Sequence, residues 1–180
     1  MSLRSSPVID LCFISLFTAI IAIMAQIVIP MPYGVPMTLQ TLAISLSGIL
    51  LGPKRGAIST LLYVLLGAVG VPVFAGFNGG LGAVFGPTGG FIMSFPVLAF
   101  AAGFGAARNN AKWLYGGIVA GIIFNYICGV FYFSIVTSND LATSFITCVL
   151  VFIPTDILKI ITAGLIGKKV RMLNLTGSVI

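Results

Sequence analysis

Six apolar runs, at about residues 11–29, 38–51, 57–70, 90–107, 114–136 and 143–166, contain between them two charged residues, Asp156 and Lys159. Runs of this kind have no polar face to turn toward water. A bilayer core accepts such segments as helices, which satisfy their own backbone groups, at roughly 20 residues per crossing. The whole chain agrees with its runs. Charged residues are 7% of the 180, hydrophobic residues are 59% and the mean hydropathy is +1.20. An ordinary soluble domain carries about 25% charged residues, and a fold this small leaves too much surface exposed to hide the excess. The composition excludes a disordered chain, a coiled coil and a disulfide scaffold. It predicts an all-α integral membrane bundle of six transmembrane helices, forming one transmembrane domain over residues 1–180. The runs at 38–51 and 57–70 are short, and extend into their flanks or meet a locally thinner bilayer.

The basic residues set the orientation. Arg4 precedes the first run, Lys54 and Arg55 join the second to the third, and Arg108 and Lys112 join the fourth to the fifth. Lys168, Lys169 and Arg171 follow the sixth. In a six-span topology all eight fall on one side, whereas the connections 30–37, 71–89 and 137–142 hold no Lys or Arg. The positive-inside rule therefore predicts that both termini are cytoplasmic. The net charge of +6 is then a topology signal, and no nucleic-acid partner is expected. No small-residue cleavage motif follows the first run, which reads as a span and not as a signal peptide.

Several chemistries are excluded by what the chain lacks. It has no histidine, the commonest general base and metal ligand. Cys12, Cys128 and Cys148 are far apart in apolar surroundings, which reads as packing, so neither a metal site nor a cofactor is expected. Gly164, Gly167, Lys168 and Lys169 do not have Walker A spacing, so the chain is not a self-powered ATPase. Gly80 and Gly82 fail as a dinucleotide fingerprint because Phe85 occupies the third glycine position. With no nucleophile–base constellation, no catalytic residue is assigned and an enzyme is not expected.

The connections differ in character. Gly52, Pro53, Lys54, Arg55 and Gly56 read as a tight turn. The link from Pro30 to Pro36 is stiffened by three prolines. The connection from Val71 to Gly89 is nineteen residues long, uncharged and rich in glycine, with Phe74, Phe77, Leu81, Val84 and Phe85. A loop of that length and greasiness has two readings: a hairpin lying in the lipid headgroups, or the wall of a pocket. Asn78 is its central hydrogen-bonding side chain, either a turn former or a ligand contact.

Asp156 and Lys159 are spaced i, i+3 and so share one helical face. A charge in hydrocarbon costs about 2.5–3.5 kcal/mol on insertion scales, and the default reading of such a pair is a functional site facing a cavity. A purely structural ion pair is the alternative. Pro154 breaks the local backbone, either kinking the span or opening a short helix with Asp156 at its third position. Broken helices beside polar groups are a transporter signature. Gln26, Gln40, Asn125 and Tyr126 are the other polar groups in or beside the spans. Each is either a helix–helix hydrogen bond or a ligand contact, with Gln40 and Tyr126 taken as further ligand candidates. Ser15, Thr18, Ala19, Ala22 and Ala25 form a stripe of small residues on the first span, suited to close helix approach.

Three stretches resemble one family. Val35 to Leu42, with Thr38 and Gln40, resembles the start of the second span in the BioY family. The segments Gly70–Gly76, Gly79–Gly82 and Gly86–Phe91 resemble that family's long loop, and Phe152 to Lys159 resembles its last-span motif. The likeness runs over about residues 10–170. It implies the biotin-binding S-component of an energy-coupling factor (ECF) transporter, in the bacterial cytoplasmic membrane as a multi-pass protein. The partners implied are biotin, a transmembrane coupling protein and two cytoplasmic ATPases, within the lipid bilayer. The substrate-binding residues implied are Asp156, Lys159 and, in the loop, Asn78. Phe74 and Phe77 are expected to close over the ligand. The family's alanine stripe on the first span has a spacing of four, whereas Ala19, Ala22 and Ala25 are spaced by three. The competing reading is a self-sufficient facilitator of biotin or a related small vitamin, but a channel would spread polar residues over several spans.

Overall fold

A computed structural model of the chain describes residues 7–31 and 35–173. Arg4, Pro32, Tyr33 and Gly34 of the preceding reading lie outside the described residues. Helix is found over each of the six apolar runs: α1 (Pro7–Ala25), α2 (Gln40–Leu51), α3 (Pro53–Ala68), α5 (Gly89–Ala106), α6 (Ala111–Thr137) and α8 (Ile153–Met172). Two short helices complete the set, α4 (Leu81–Val84) and α7 (Leu141–Phe145). Among the described residues, α1, α5 and α6 are each long and apolar enough to cross a membrane. A fourth crossing is available if the broken unit Leu141–Leu150 plus Ile153–Met172, bent by 46°, counts as one.

The boundaries move for local reasons. The first run was expected to continue to 29, but α1 ends at Ala25. Beyond it Val28–Ile29 (β1) pairs antiparallel with Met37–Thr38 (β2), Val28 opposite Thr38 and Ile29 opposite Met37. β-Branched residues directly before Pro30 favour extended backbone over helix. The turn expected over 52–56 shrinks to Gly52, whose φ of 84° is left-handed. Pro53 opens α3, because its fixed φ suits a first helical position and its missing N–H has no partner to lose. Lys54 and Arg55 thus sit in the first turn of α3, and Lys168, Lys169 and Arg171 lie in α8, not beyond it.

α5 is the central helix, packed on α6, α2 and α3. Glycine allows these approaches. A Cβ built on Gly90 would stand 2.5 Å from both the Cys128 carbonyl oxygen and Cβ of Tyr132 on α6. Small residues at helix crossings let backbones meet where water provides no drive for association. α1 lies at the edge, against α3 and α2. It is fastened by the Arg55–Asp10 ion pair at 2.8 Å and by Thr18, whose hydroxyl donates to the carbonyls of Ile14 and Ser59. The stripe expected on α1 is split: Thr18 and Ala25 are buried in the bundle, whereas Ser15 and Ala19 face outward.

Topology gives the bundle two unlike ends. One carries the β1–β2 hairpin, the 69–88 connection and the start of α5. The other carries Gly52, the α5–α6 turn and the end of α8, joined where Arg171 donates to the Ala106 carbonyl.

Candidate functional site

A cavity of about 670 Å³ lies at the hairpin end. Its size is within the range of about 300–1,000 Å³ common for small-molecule sites. Five regions line it: the hairpin, the first residues of α2, the long connection, the α5–α6 pair and the start of α8. The wall is mostly apolar, with Met37, Phe74, Phe91, Ile92, Phe95 and Phe152. The long connection is therefore pocket wall, which decides between its two readings. It achieves this with a 3₁₀ turn at Ala75–Phe77, a single bridge between Phe74 and Asn78, and α4.

The polar groups gather on one side. Asp156 is 4% exposed and Lys159 9%, yet both line the cavity. Lys159 Nζ donates to Asp156 Oδ1 at 2.7 Å, the Tyr126 hydroxyl donates to Oδ2, and Thr41 Oγ1 stands 3.5 Å from Oδ1. Local sequence explains the placement. The chain passes from α7 through a π-helical turn, Ile146–Leu150, and breaks before α8. Pro154 lies in the first turn of α8, with Phe152 as the N-cap. Counting from that cap, Asp156 is the fourth helical residue, one later than expected, and its N–H donates to the Phe152 carbonyl at 2.9 Å. A carboxylate in a first helical turn is favoured by the positive end of the helix.

The other expected residues divide. Tyr126 joins the cluster. Gln40 lines the cavity, but both ends of its amide are engaged: Oε1 accepts from Thr38 at 2.7 Å and Nε2 donates to the Tyr63 hydroxyl at 2.6 Å. Phe74 lines the wall at 2% exposure, its ring edge-on to Tyr63 at 5.5 Å and seated over Gly67. Asn78 lines the cavity from the loop, with its amide nitrogen donating to the Ala75 carbonyl at 2.8 Å. Phe77 does not line it. Its left-handed φ of 57° turns it out at 70% exposure, so its ring does not cover the cavity in this structure.

Sequence reasoning did not name Thr41, Phe91, Phe95 or Phe152 as site residues. Thr41 and Phe152 lay within the motifs already noted, adjacent to Gln40 and four residues before Asp156. Phe91 ends the Gly86–Phe91 segment noted above, whereas Phe95 carries no signal beyond hydrophobicity. Asn125 also lines the cavity, though its amide nitrogen is spent on α5, donating to the Phe91 carbonyl and to Ser94 Oγ. Among the described residues no cluster of three or more His, Cys, Asp or Glu could hold a metal.

Residues 1–175 match the model of the BioY family. The chain belongs to the BioY family. Similar BioY proteins include the probable biotin transporter BioY of Pyrococcus horikoshii, 39% identical over 90% of this chain and 96% of that protein. The biotin transporter BioY of Thermotoga maritima is 37% identical over 88% of this chain and 94% of its own length. The fold of this BioY chain also superposes on a solved S-component for biotin from an ECF-type ABC transporter. The TM-score is 0.85 at 33% identity, over 92% of each chain.

Proposed function

We propose that this BioY chain is the biotin-capturing S-component of an ECF-type transporter, and that the cavity at the hairpin end is its biotin site. The observation that carries the reading is the Asp156–Lys159–Tyr126 cluster in an otherwise greasy pocket. Biotin presents a matching pattern: a ureido head with two N–H donors and a carbonyl, an apolar thioether ring, and a carboxylate tail.

The hydrogen-bond inventory narrows the roles. Lys159 has three N–H donors, one of them spent on Asp156, and this leaves donors for a ligand carbonyl or carboxylate. A carboxylate offers about four lone-pair sites, so Asp156 has room for a ureido N–H beside Lys159 and Tyr126. Asn78 and Gln40 contribute from the loop and the start of α2, and Phe74 supplies apolar wall.

The finer topology belongs to the same proposal. α1, α2, α3, α5, α6 and the α7–α8 unit make six crossings, with both termini cytoplasmic and the cavity facing outward. Lys54, Arg55, Arg108, Lys112, Lys168, Lys169 and Arg171 all lie toward the end opposite the cavity, as the positive-inside rule asks. The whole chain is one substrate-binding domain in the cytoplasmic membrane. It works with a transmembrane coupling protein and two ATPases, since no nucleotide-binding motif of its own supplies energy.

Calorimetric titration of biotin into the purified protein in detergent tests the reading. Saturable binding, lost with Asp156→Asn and with a ureido-blocked biotin analogue, is expected. Absence of binding to folded wild-type protein refutes it. Biotin uptake in cells that lack the coupling ATPases would refute the dependence on partners.

A further inference from the structure

Behind the cavity wall, Gln26 makes three hydrogen bonds to the long connection. It follows α1 directly and is part-buried. Its Nε2 is shared among three carbonyls at 3.1 Å, those of Ala22 on α1 and of Val73 and Phe74 in the connection. Its Oε1 accepts from the Phe77 N–H at 2.8 Å. One carboxamide thus spans the 3₁₀ turn, satisfying backbone groups on both its flanks. Backbone groups of a loop that packs on a bundle need partners of this kind. Tyr63 of α3 also bonds to this stretch, its hydroxyl donating to the Val73 carbonyl at 3.1 Å. Gln26 itself is not among the residues lining the cavity.

The helix that carries Gln26 is the edge helix. α1 packs chiefly on α3 and α2, while its Leu16 and Ile23, and Ile27 just beyond it, face outward. Phe74, whose carbonyl Gln26 holds, is the aromatic ring of the wall that also plugs the groove over Gly67. The end of α1 and the wall are therefore joined through the Gln26 side chain.

We propose that Gln26 is a positioning residue: it latches the 73–77 wall to the end of α1, and the wall stays closed over bound ligand only while that carboxamide holds it. The ligand named in this inference, biotin, rests on the function proposed above, but the latch does not.

Gln26→Met keeps the side-chain length and removes every hydrogen bond. Amide exchange in the unliganded protein reads the latch without any ligand. The expected result is about tenfold faster exchange in the peptide covering 72–80, the change that loss of one to two net hydrogen bonds brings. Exchange in α5 and α6 stays as in the wild type. Thr18→Val, which loosens α1 from α3 elsewhere, serves as the comparison and is expected to leave 72–80 unchanged. In the second arm, biotin dissociates about tenfold faster from Gln26→Met than from wild type. Unchanged exchange at 72–80 overturns the latch, as does an equal rise with Thr18→Val. Faster exchange at 72–80 in a protein that binds no biotin supports the latch and refutes only the ligand.

Discussion

Replacing Lys159 by Met removes the ammonium and keeps most of the stem. Asp156, 4% exposed, is then left with the Tyr126 hydroxyl and with Thr41 at 3.5 Å. Taking one partner from a buried ion pair costs about 3–5 kcal/mol. The lower end applies here, because Tyr126 still donates to Oδ2 and the first turn of α8 favours the carboxylate. At roughly 2–4 °C per kcal/mol for a chain of this size, Tm falls on the order of 10 °C. The double variant Asp156→Asn/Lys159→Met carries no charge, and its Asn oxygen can still accept from Tyr126. Replacing a buried pair whole is often neutral, so the double variant is expected within about 1 kcal/mol of wild type. With Asp156→Asn alone completing the cycle, the coupling energy is about 2 kcal/mol or more.

Ligand binding behaves in the opposite way. Hydrogen bonds to charged groups contribute about 1.5–3 kcal/mol each, so losing two weakens biotin binding by about 100-fold or more. Thermal unfolding in detergent, with and without biotin, reads both effects. Ligand at about 100 times the wild-type Kd adds some 2.7 kcal/mol to the wild type, and the double variant is expected to gain about 0.4 kcal/mol or less. If Lys159→Met is as stable as wild type, the ion pair does not hold the fold together. A double variant stabilised by biotin like the wild type would show that the pair is structural and that the site is elsewhere.

Gly90→Ala forces a methyl group against α6, where Cys128 O and Tyr132 Cβ stand 2.5 Å away, and overpacking of this kind costs about 1–3 kcal/mol. Gly116→Ala on α6 meets nothing within 4 Å and is expected to be neutral or stabilising, so the two Tm values should move apart. Asp140, exposed outside the spans, caps α7 by accepting the Thr143 N–H at 3.0 Å, and hydrogen bonding from the Thr143 side chain, then from this N–H, holds its carboxyl below the ordinary 3.8. Because the folded value is depressed, the cap's contribution is complete above 3.8 and is lost as pH falls through the folded value. Amide exchange at Thr143, corrected for intrinsic pH dependence, should therefore lose protection in acid, and Asp140→Ala should lack it at every pH.

The helices were legible because apolar runs of this length admit little else, and the basic residues marked one end of the bundle from sequence alone. The boundaries were less so. Val28 and Ile29 look helical by hydropathy, and only their pairing with Met37 and Thr38 makes them strand. The charged pair stood out because charge in an apolar run is costly, and Tyr126 was flagged by its polarity. Its bond to Asp156 depends on α6 crossing the start of α8, a contact thirty residues apart in sequence. Phe77 faces away from the cavity for a conformational reason. Nothing in an aromatic side chain announces a left-handed backbone, which is set by the turn between Phe74 and Asn78. Gln26 was read as a polar group near a span end. Its hold on a loop some fifty residues away is a property of the tertiary fold.

The break before α8 explains why an apolar run can carry two charges at all. An α-helix turns about 100° per residue, so an uninterrupted helix from 141 to 172 would fix the direction of Asp156 from that of α7. The π-helical turn at Ile146–Leu150 and the 46° bend remove that constraint. They allow α7 to settle on α6 while α8 settles on α2. In the resulting orientation Asp156 and Lys159 turn inward, while Ile157, Leu158 and Ile161 remain exposed on the other face. The same break puts Asp156 in a first helical turn. Its carboxylate therefore receives the helix end, Lys159, Tyr126 and Thr41. In the function proposed above, a ligand must compete with these bonds already made, so selectivity rests on matching the donors and acceptors of that cluster, and affinity on filling the aromatic wall around it.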